Sequence, residues 1–231
     1  MTAREVSWIS TRPGSRGASE SQAIDRNPTA EWVAPFVAIL GAGMISHAMS
    51  AGFEWLYGLR FLAAVIVLWI FRERYKSLDW RIDWTALVAG LLVFVIWITP
   101  GNSPAVTAPA QLSAAPPALR TAWLVLRISG AVVTVPIAEE LAFRGFLLRR
   151  FLSSDFAAVS FRRFSWIAFL GSSILFGLLH GNRWIVGTLA GAIYALSVQR
   201  RGRLGNAVVA HAITNTLLAV DVVGFHHWGL W

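Results

Sequence analysis

The run VPIAEELAFRGFLLRRFL, residues 135–152, decides the fold. It is apolar and helix-compatible except at Glu139, Glu140, Arg144 and its basic end. An ionisable group at the centre of a bilayer costs about 2.5–3.5 kcal/mol on insertion scales, so two acids and an arginine inside one apolar run mark either a functional site or a paired bundle interior. The rest of the chain keeps the same character. Of its 231 residues, 56% are hydrophobic and 14% charged, a balance too apolar for a soluble domain. Runs long enough to cross about 30 Å of hydrocarbon recur along most of its length. They predict an all-α fold, a polytopic transmembrane helical bundle with about seven spans at 32–49, 55–71, 84–98, 122–148, 164–180, 184–199 and 205–223.

The basic residues test this layout. Four lie in the first 31 residues (Arg4, Arg12, Arg16, Arg26), four after the second span (Arg72, Arg74, Lys76, Arg81), four after the fourth (Arg149, Arg150, Arg162, Arg163) and three after the sixth (Arg200, Arg201, Arg203). Alternate gaps are basic, and the positive-inside rule then puts the N-terminus in the cytoplasm and the C-terminus outside. The formal charge of +8 is thereby explained by a membrane and not by nucleic acid, and the expected location is a bacterial inner membrane. Residues 1–31 lack the apolar centre of a secretory signal and read as a polar cytoplasmic tail. Residues 32–98 form a three-span region, the Pro/Ala-rich 99–121 an external loop, 122–223 a four-span core and 224–231 a short external tail. There is no cysteine, which excludes disulfides, thiolate zinc sites and cysteine nucleophiles.

Most intramembrane polar residues fall in the core. Glu140 and Arg144 are four apart and share a helix face, whereas Glu139 is turned about 100° away. The arginine holds Glu140 as a fixed carboxylate and leaves Glu139 to face a cavity as a general base. A structural ion pair at a helix end would satisfy the same spacing. Phe176 and His180 share a face of the fifth span, where a lone histidine also suits a satisfied core. His211 and Asn215 share a face of the seventh, placed to address one water or carbonyl oxygen, or only each other's helix. Gly187 and Gly191 make a small-residue face for close helix packing. Trp32, Trp55, Trp84, Trp184, Trp228 and Trp231 fit an interfacial belt. His47 packs or makes a single bond, Arg60 pairs with Glu54 or snorkels, and Arg127 snorkels or pairs with Asp221. A metal role for His226 and His227 is the weaker reading of that tail.

Glu139-Glu140-x-x-x-Arg144, Phe176-x-x-x-His180 and His211-x-x-x-Asn215, in this order on successive helices, resemble the three-motif signature of the CPBP family, the type II CAAX prenyl protease and bacteriocin-processing (Abi) proteins. The likeness covers about residues 124–220. It implies an intramembrane endopeptidase in which Glu139 and His180 activate a water, His211 and Asn215 stabilise the oxyanion, and Glu140, Arg144 and Phe176 support the site, with no cofactor. A zinc-dependent variant would use Glu139, His180 and His211 as ligands. The N-terminal half resembles CAAX-protease-like proteins that accompany exosortase or C-terminal sorting systems. Partners are then the lipid bilayer and a membrane-anchored protein or peptide substrate. The rival reading is a non-catalytic scaffold, immunity or transport protein on the same fold. One difficulty stands against the site: His180 at the far end of its span and Glu139 with His211 nearer the cytoplasm should lie about 15–20 Å apart in depth. The expectation is that the three motifs nevertheless meet in one cavity.

Overall fold

The structure, a computed structural model, describes residues 28–50, 52–99 and 107–231. Most of the N-terminal tail and residues 100–106 of the expected loop lie outside this range. Helix α1 spans Ala30–Ala48, α2 Gly58–Ile70 after a 3-10 turn at Trp55–Tyr57, the short α3 Arg72–Tyr75, and α4 Trp84–Ile98. The small α5 (Ala110–Ala114) precedes α6, Pro117–Arg150, which is followed by α7 (Trp166–Leu178), α8 (Trp184–Arg201) and α9 (Leu204–Phe225). No strand occurs among the described residues. The long helices coincide with the apolar runs. Three of them, α1, α6 and α9, are long and apolar enough to cross a membrane. The outward faces of α1, α2, α4, α7 and α9 carry exposed Val37, Met44, Ile66, Trp69, Val95, Ile167 and Val220, a surface suited to lipid and not to water. The protein is an integral membrane protein.

Helix α6 is the axis of the bundle and starts earlier than the sequence suggests. The stretch 99–121 is not loop throughout: Pro116 precedes the first turn and Pro117 occupies it, where a missing N–H costs nothing. On one side α6 receives α1. Gly145 lies so close to the Trp32 ring that a Cβ there would collide, and Arg149 stacks its guanidinium on the same ring at 4.6 Å. Trp32 is therefore a core residue, 7% exposed, and not part of an interfacial belt; Trp84, by contrast, is 70% exposed. On the other side stand α7, α8 and α9. Gly187 and Gly191 of α8 fit against Gly177 and Ser173 of α7, so the small-residue face is a packing face. Gly90 of α4 rests on the Ala210 carbonyl of α9, closing the ring of helices.

The basic gaps meet at one end. Arg201 reaches Asp83 at 2.9 Å, Arg203 lies 3.5 Å from Asp79, Arg74 lies 3.4 Å from Glu31, and Arg162 donates to the carbonyls of Arg200 and Arg201. Asp83 caps α4 by accepting from Thr85 N–H at 2.9 Å, and Gly202, with φ +70°, turns the chain from α8 into α9 in a left-handed conformation that favours glycine. At the opposite end Arg60 pairs with Glu54 at 2.8 Å, as expected, and His47 reaches the same carboxylate at 3.4 Å. Asp221 does not take Arg127. It accepts from His227 at 2.9 Å, and the Arg127 guanidinium instead faces the rings of Tyr57, Trp231 and Trp123 at 4.3, 4.6 and 5.6 Å.

Candidate active site

The depth conflict disappears through the connection between α6 and α7. Phe151, just past α6, lays its ring against Gly171, five residues into α7. Helix α7 thus begins about 8 Å beyond the end of α6. Counting back from that contact brings Phe176 beside Phe143, with ring centroids 5.2 Å apart, and His180 to the level of Glu139. Glu139, Phe176, His180, His211 and Asn215 accordingly line one cavity of about 200 Å³, with Val93 and Trp97 of α4 and Tyr194 of α8.

Helix α6 divides its two acids as their spacing requires. Glu140 is fully buried behind the cavity wall, where it accepts from Arg144 Nη1 at 3.1 Å and His211 Nδ1 at 3.0 Å. Arg144, 1% exposed, also donates to the Gly191 carbonyl at 2.8 Å and lies 4.3 Å from the Phe176 ring centroid. Glu139 faces the cavity. Its Oε2 has no hydrogen-bond partner among the described residues and lies 3.9 Å from His211 Nε2. An orphaned buried carboxylate oxygen is rare in a folded core and common where a water or substrate belongs.

Two widened π turns shape this wall, at Gly130–Thr134 and Leu141–Leu147. Pro136 explains the first. It has no N–H to offer, and Val135 N–H bonds to the Gly130 carbonyl, so the Ala131 carbonyl loses its helical donor. Asn215 supplies one, Nδ2 to Ala131 at 2.7 Å, and this bond ties α9 to α6 at the cavity. The widening also keeps Arg127, Ala131, Val135 and Glu139 in one line along the cavity. In an ideal α-helix, three steps of four residues would drift by about 120° around the axis.

The histidines are fixed in tautomer by their partners. His180 sits at the end of α7 with Nδ1 2.9 Å from the Phe176 carbonyl, which can only accept, so Nδ1 carries the proton and Nε2 is free as a base. His211 donates Nδ1–H to Glu140 and stacks on Tyr194 with centroids 4.8 Å apart and planes 18° apart. Tyr194 donates to Thr214 at 2.8 Å, and Thr214 lies 3.0 Å from the Gly90 carbonyl. Tyr194, Thr214 and Trp97 were not singled out by motif reading. Tyr194 had a signal, being the one tyrosine in the C-terminal half and three residues past Gly191 on a packing helix. Trp97 lies on a helix with no motif and had none. Among the described residues, no group of three or more His, Asp or Glu side chains is arranged to hold a metal ion.

No curated protein and no solved structure matches this chain. A family model described as type II CAAX prenyl endopeptidase Rce1-like matches residues 121–217, the segment from within α6 into α9 that contains all three motifs. The matched segment, which carries all three motifs, is thus similar to the Rce1-like type II CAAX endopeptidases, and this likeness supports assignment to the CPBP family of membrane proteases.

Proposed function

We propose that this cavity hydrolyses a peptide bond in a membrane-anchored protein, with Glu139 as the base that activates water. The observation that carries the reading is the unpartnered Glu139 Oε2, enclosed beside two imidazoles that are each held in one tautomer by a bond on the other ring nitrogen. A water between Glu139 and His180 gives its proton to the carboxylate as its oxygen bonds to the scissile carbonyl carbon. The negative charge on the carbonyl oxygen faces His211 and the second N–H of Asn215. The bond from His211 Nδ1–H to Glu140 orients the ring at the cavity wall, and the Asn215 N–H is the donor that meets the oxyanion. A donor of this kind is worth about 3–4 kcal/mol in the transition state. The C–N bond then breaks, the amine takes the proton from Glu139, and the products leave as a carboxylate and an ammonium once the acid's remaining proton has passed to the amine.

The test compares membrane proteins from cells carrying the wild-type or the Glu139→Gln protein by mass spectrometry of C-termini. Fragments present with the wild type should vanish with the variant, at unchanged protein yield; an unaltered set of C-termini would sink the assignment. The scaffold reading predicts that outcome. The fragments also separate a substrate bearing a C-terminal sorting signal, suggested by the N-terminal half, from a prenylated CAAX protein. Zinc has a specific check. Carboxylate catalysis predicts full activity after exhaustive chelation and no stoichiometric zinc in the purified protein, whereas the zinc-dependent reading predicts loss of activity on chelation.

A further inference from the structure

Arg127 is a cation with no ion-pair partner among the described residues. Its guanidinium faces three aromatic rings, its Nε is enclosed without a hydrogen-bond partner, and no carboxylate among the described residues lies within ion-pair distance. Glu54, which lines a second recess together with Arg127, is already shared by Arg60 and His47, and Asp221 is taken by His227. The attraction of aromatic rings for a nearby cation is weaker than the cost of enclosing an unpaired charge in a membrane protein. A purely structural residue at this place would not need the charge. Arg127 lines the reactive cavity, in register with Ala131, Val135 and Glu139 along the face of α6 that the π turn keeps straight.

We propose that Arg127 is a carboxylate-binding subsite that positions the peptide substrate. The inference rests on the protease reading above and adds which substrate group is held and where. Twelve residues of α6 separate Arg127 from Glu139, about 18 Å at helical rise. An extended peptide covers that distance in about five residues. A peptide whose terminal carboxylate sits on Arg127 therefore presents to Glu139 a bond about five residues from its end. The same carboxylate chemistry could come from an Asp or Glu side chain at that distance. Leu230 and Trp231 line the same cavity beside Arg127, so the last turn of the chain narrows the slot at the anion end.

Binding is read without turnover, in the full-length Glu139→Gln protein, by its thermal unfolding midpoint in detergent. Three probes are compared at equal concentration: the hexapeptide acetyl-Leu-Ala-Leu-Ala-Leu-Ala as free acid, the same peptide as carboxamide, and the carboxamide with Glu at its last position. The free acid should raise the midpoint by about 2–4 °C over the carboxamide. The Glu-containing carboxamide matching the free acid would identify a side-chain carboxylate as sufficient; its failing to do so would identify the terminus. The advantage of the acid should vanish in Glu139→Gln/Arg127→Gln and persist in Glu139→Gln/Arg127→Lys, which keeps the charge should the glutamine variant not fold. Equal midpoints for acid and carboxamide, or an advantage that survives Arg127→Gln, would overturn the subsite. A protein that discriminates acid from amide yet yields no Glu139-dependent fragments would keep the subsite and lose the protease.

Discussion

At the scale of single residues the site depends on one buried pair. Glu140 is 0% exposed and Arg144 1%, and Glu140 also orients His211. Removing one member of such a pair leaves a charge with neither water nor partner and costs about 3–5 kcal/mol, whereas replacing both by apolar groups of similar volume is often nearly neutral. Arg144→Met should therefore destabilise by about that amount, and Glu140→Leu/Arg144→Met should recover most of the loss. The double variant should still produce no fragments, because His211 Nδ1 has lost its acceptor. Urea unfolding in detergent together with the C-terminal profile reads both effects. A stable single Arg144→Met protein would mean that the pair is not closed in the folded molecule.

At the scale of elements the π turn at Gly130–Thr134 makes an unusual demand on Pro136. Proline inside a helix normally costs about 3 kcal/mol through the missing bond and the ring clash, so Pro136→Ala should leave the unfolding midpoint unchanged or raise it. It should also close the turn to ordinary α geometry, since residue 136 could now donate to the carbonyls that Asn215 and the widened turn accommodate. One residue of register is about 100° around the axis, which would swing Arg127 and Ala131 away from Glu139. Misplacement of this kind costs on the order of 10²-fold in rate, so the variant should be stable and nearly inactive, and restored cleavage at wild-type rate would refute the role given to the turn. Neither this turn nor the depth of α7 was legible beforehand. The three motifs were, because ionisable residues in apolar helices stand out and their four-residue spacing is local. The register of α7 against α6 depends on Phe151 meeting Gly171, the donor to the Ala131 carbonyl that Pro136 leaves bare comes from Asn215 of α9, and the burial of Trp32 depends on Gly145. All three are tertiary contacts between residues 20 to more than 100 positions apart, which no local pattern encodes.

At the scale of the whole molecule, the basic end is held together by charges that water and salt can reach. Sequence reading located these residues but not their partners: Arg127 found aromatic rings from the far end of the chain, while Asp79 and Asp83 gather arginines from two segments, their own loop and the α8–α9 turn. Asp79 is pushed down to about 2 from the ordinary 3.8, first by its hydrogen bonds from Arg81 and then by the nearby charges of Arg81 and Arg203. Asp83 is also lowered, chiefly by the Thr85 hydroxyl, with Thr85 N–H, the Asn206 side chain and Arg201 adding to it. A carboxylate that binds its proton more weakly in the folded than in the unfolded chain contributes stability above the unfolded value, and that contribution is lost as pH falls through the folded value. The unfolding midpoint should accordingly be flat from neutrality to about pH 5 and fall between about pH 4 and 2, where Asp79 takes up its proton. Asp79→Asn should lower the plateau slightly and flatten the fall, and added salt should reduce the difference between the two proteins, because exposed pairs are screened within about 10 Å at 0.1 M. An acid limb identical in wild type and Asp79→Asn would show that the two loops are joined by packing, through Gly205 lying against the Trp80 backbone, and not by these charges.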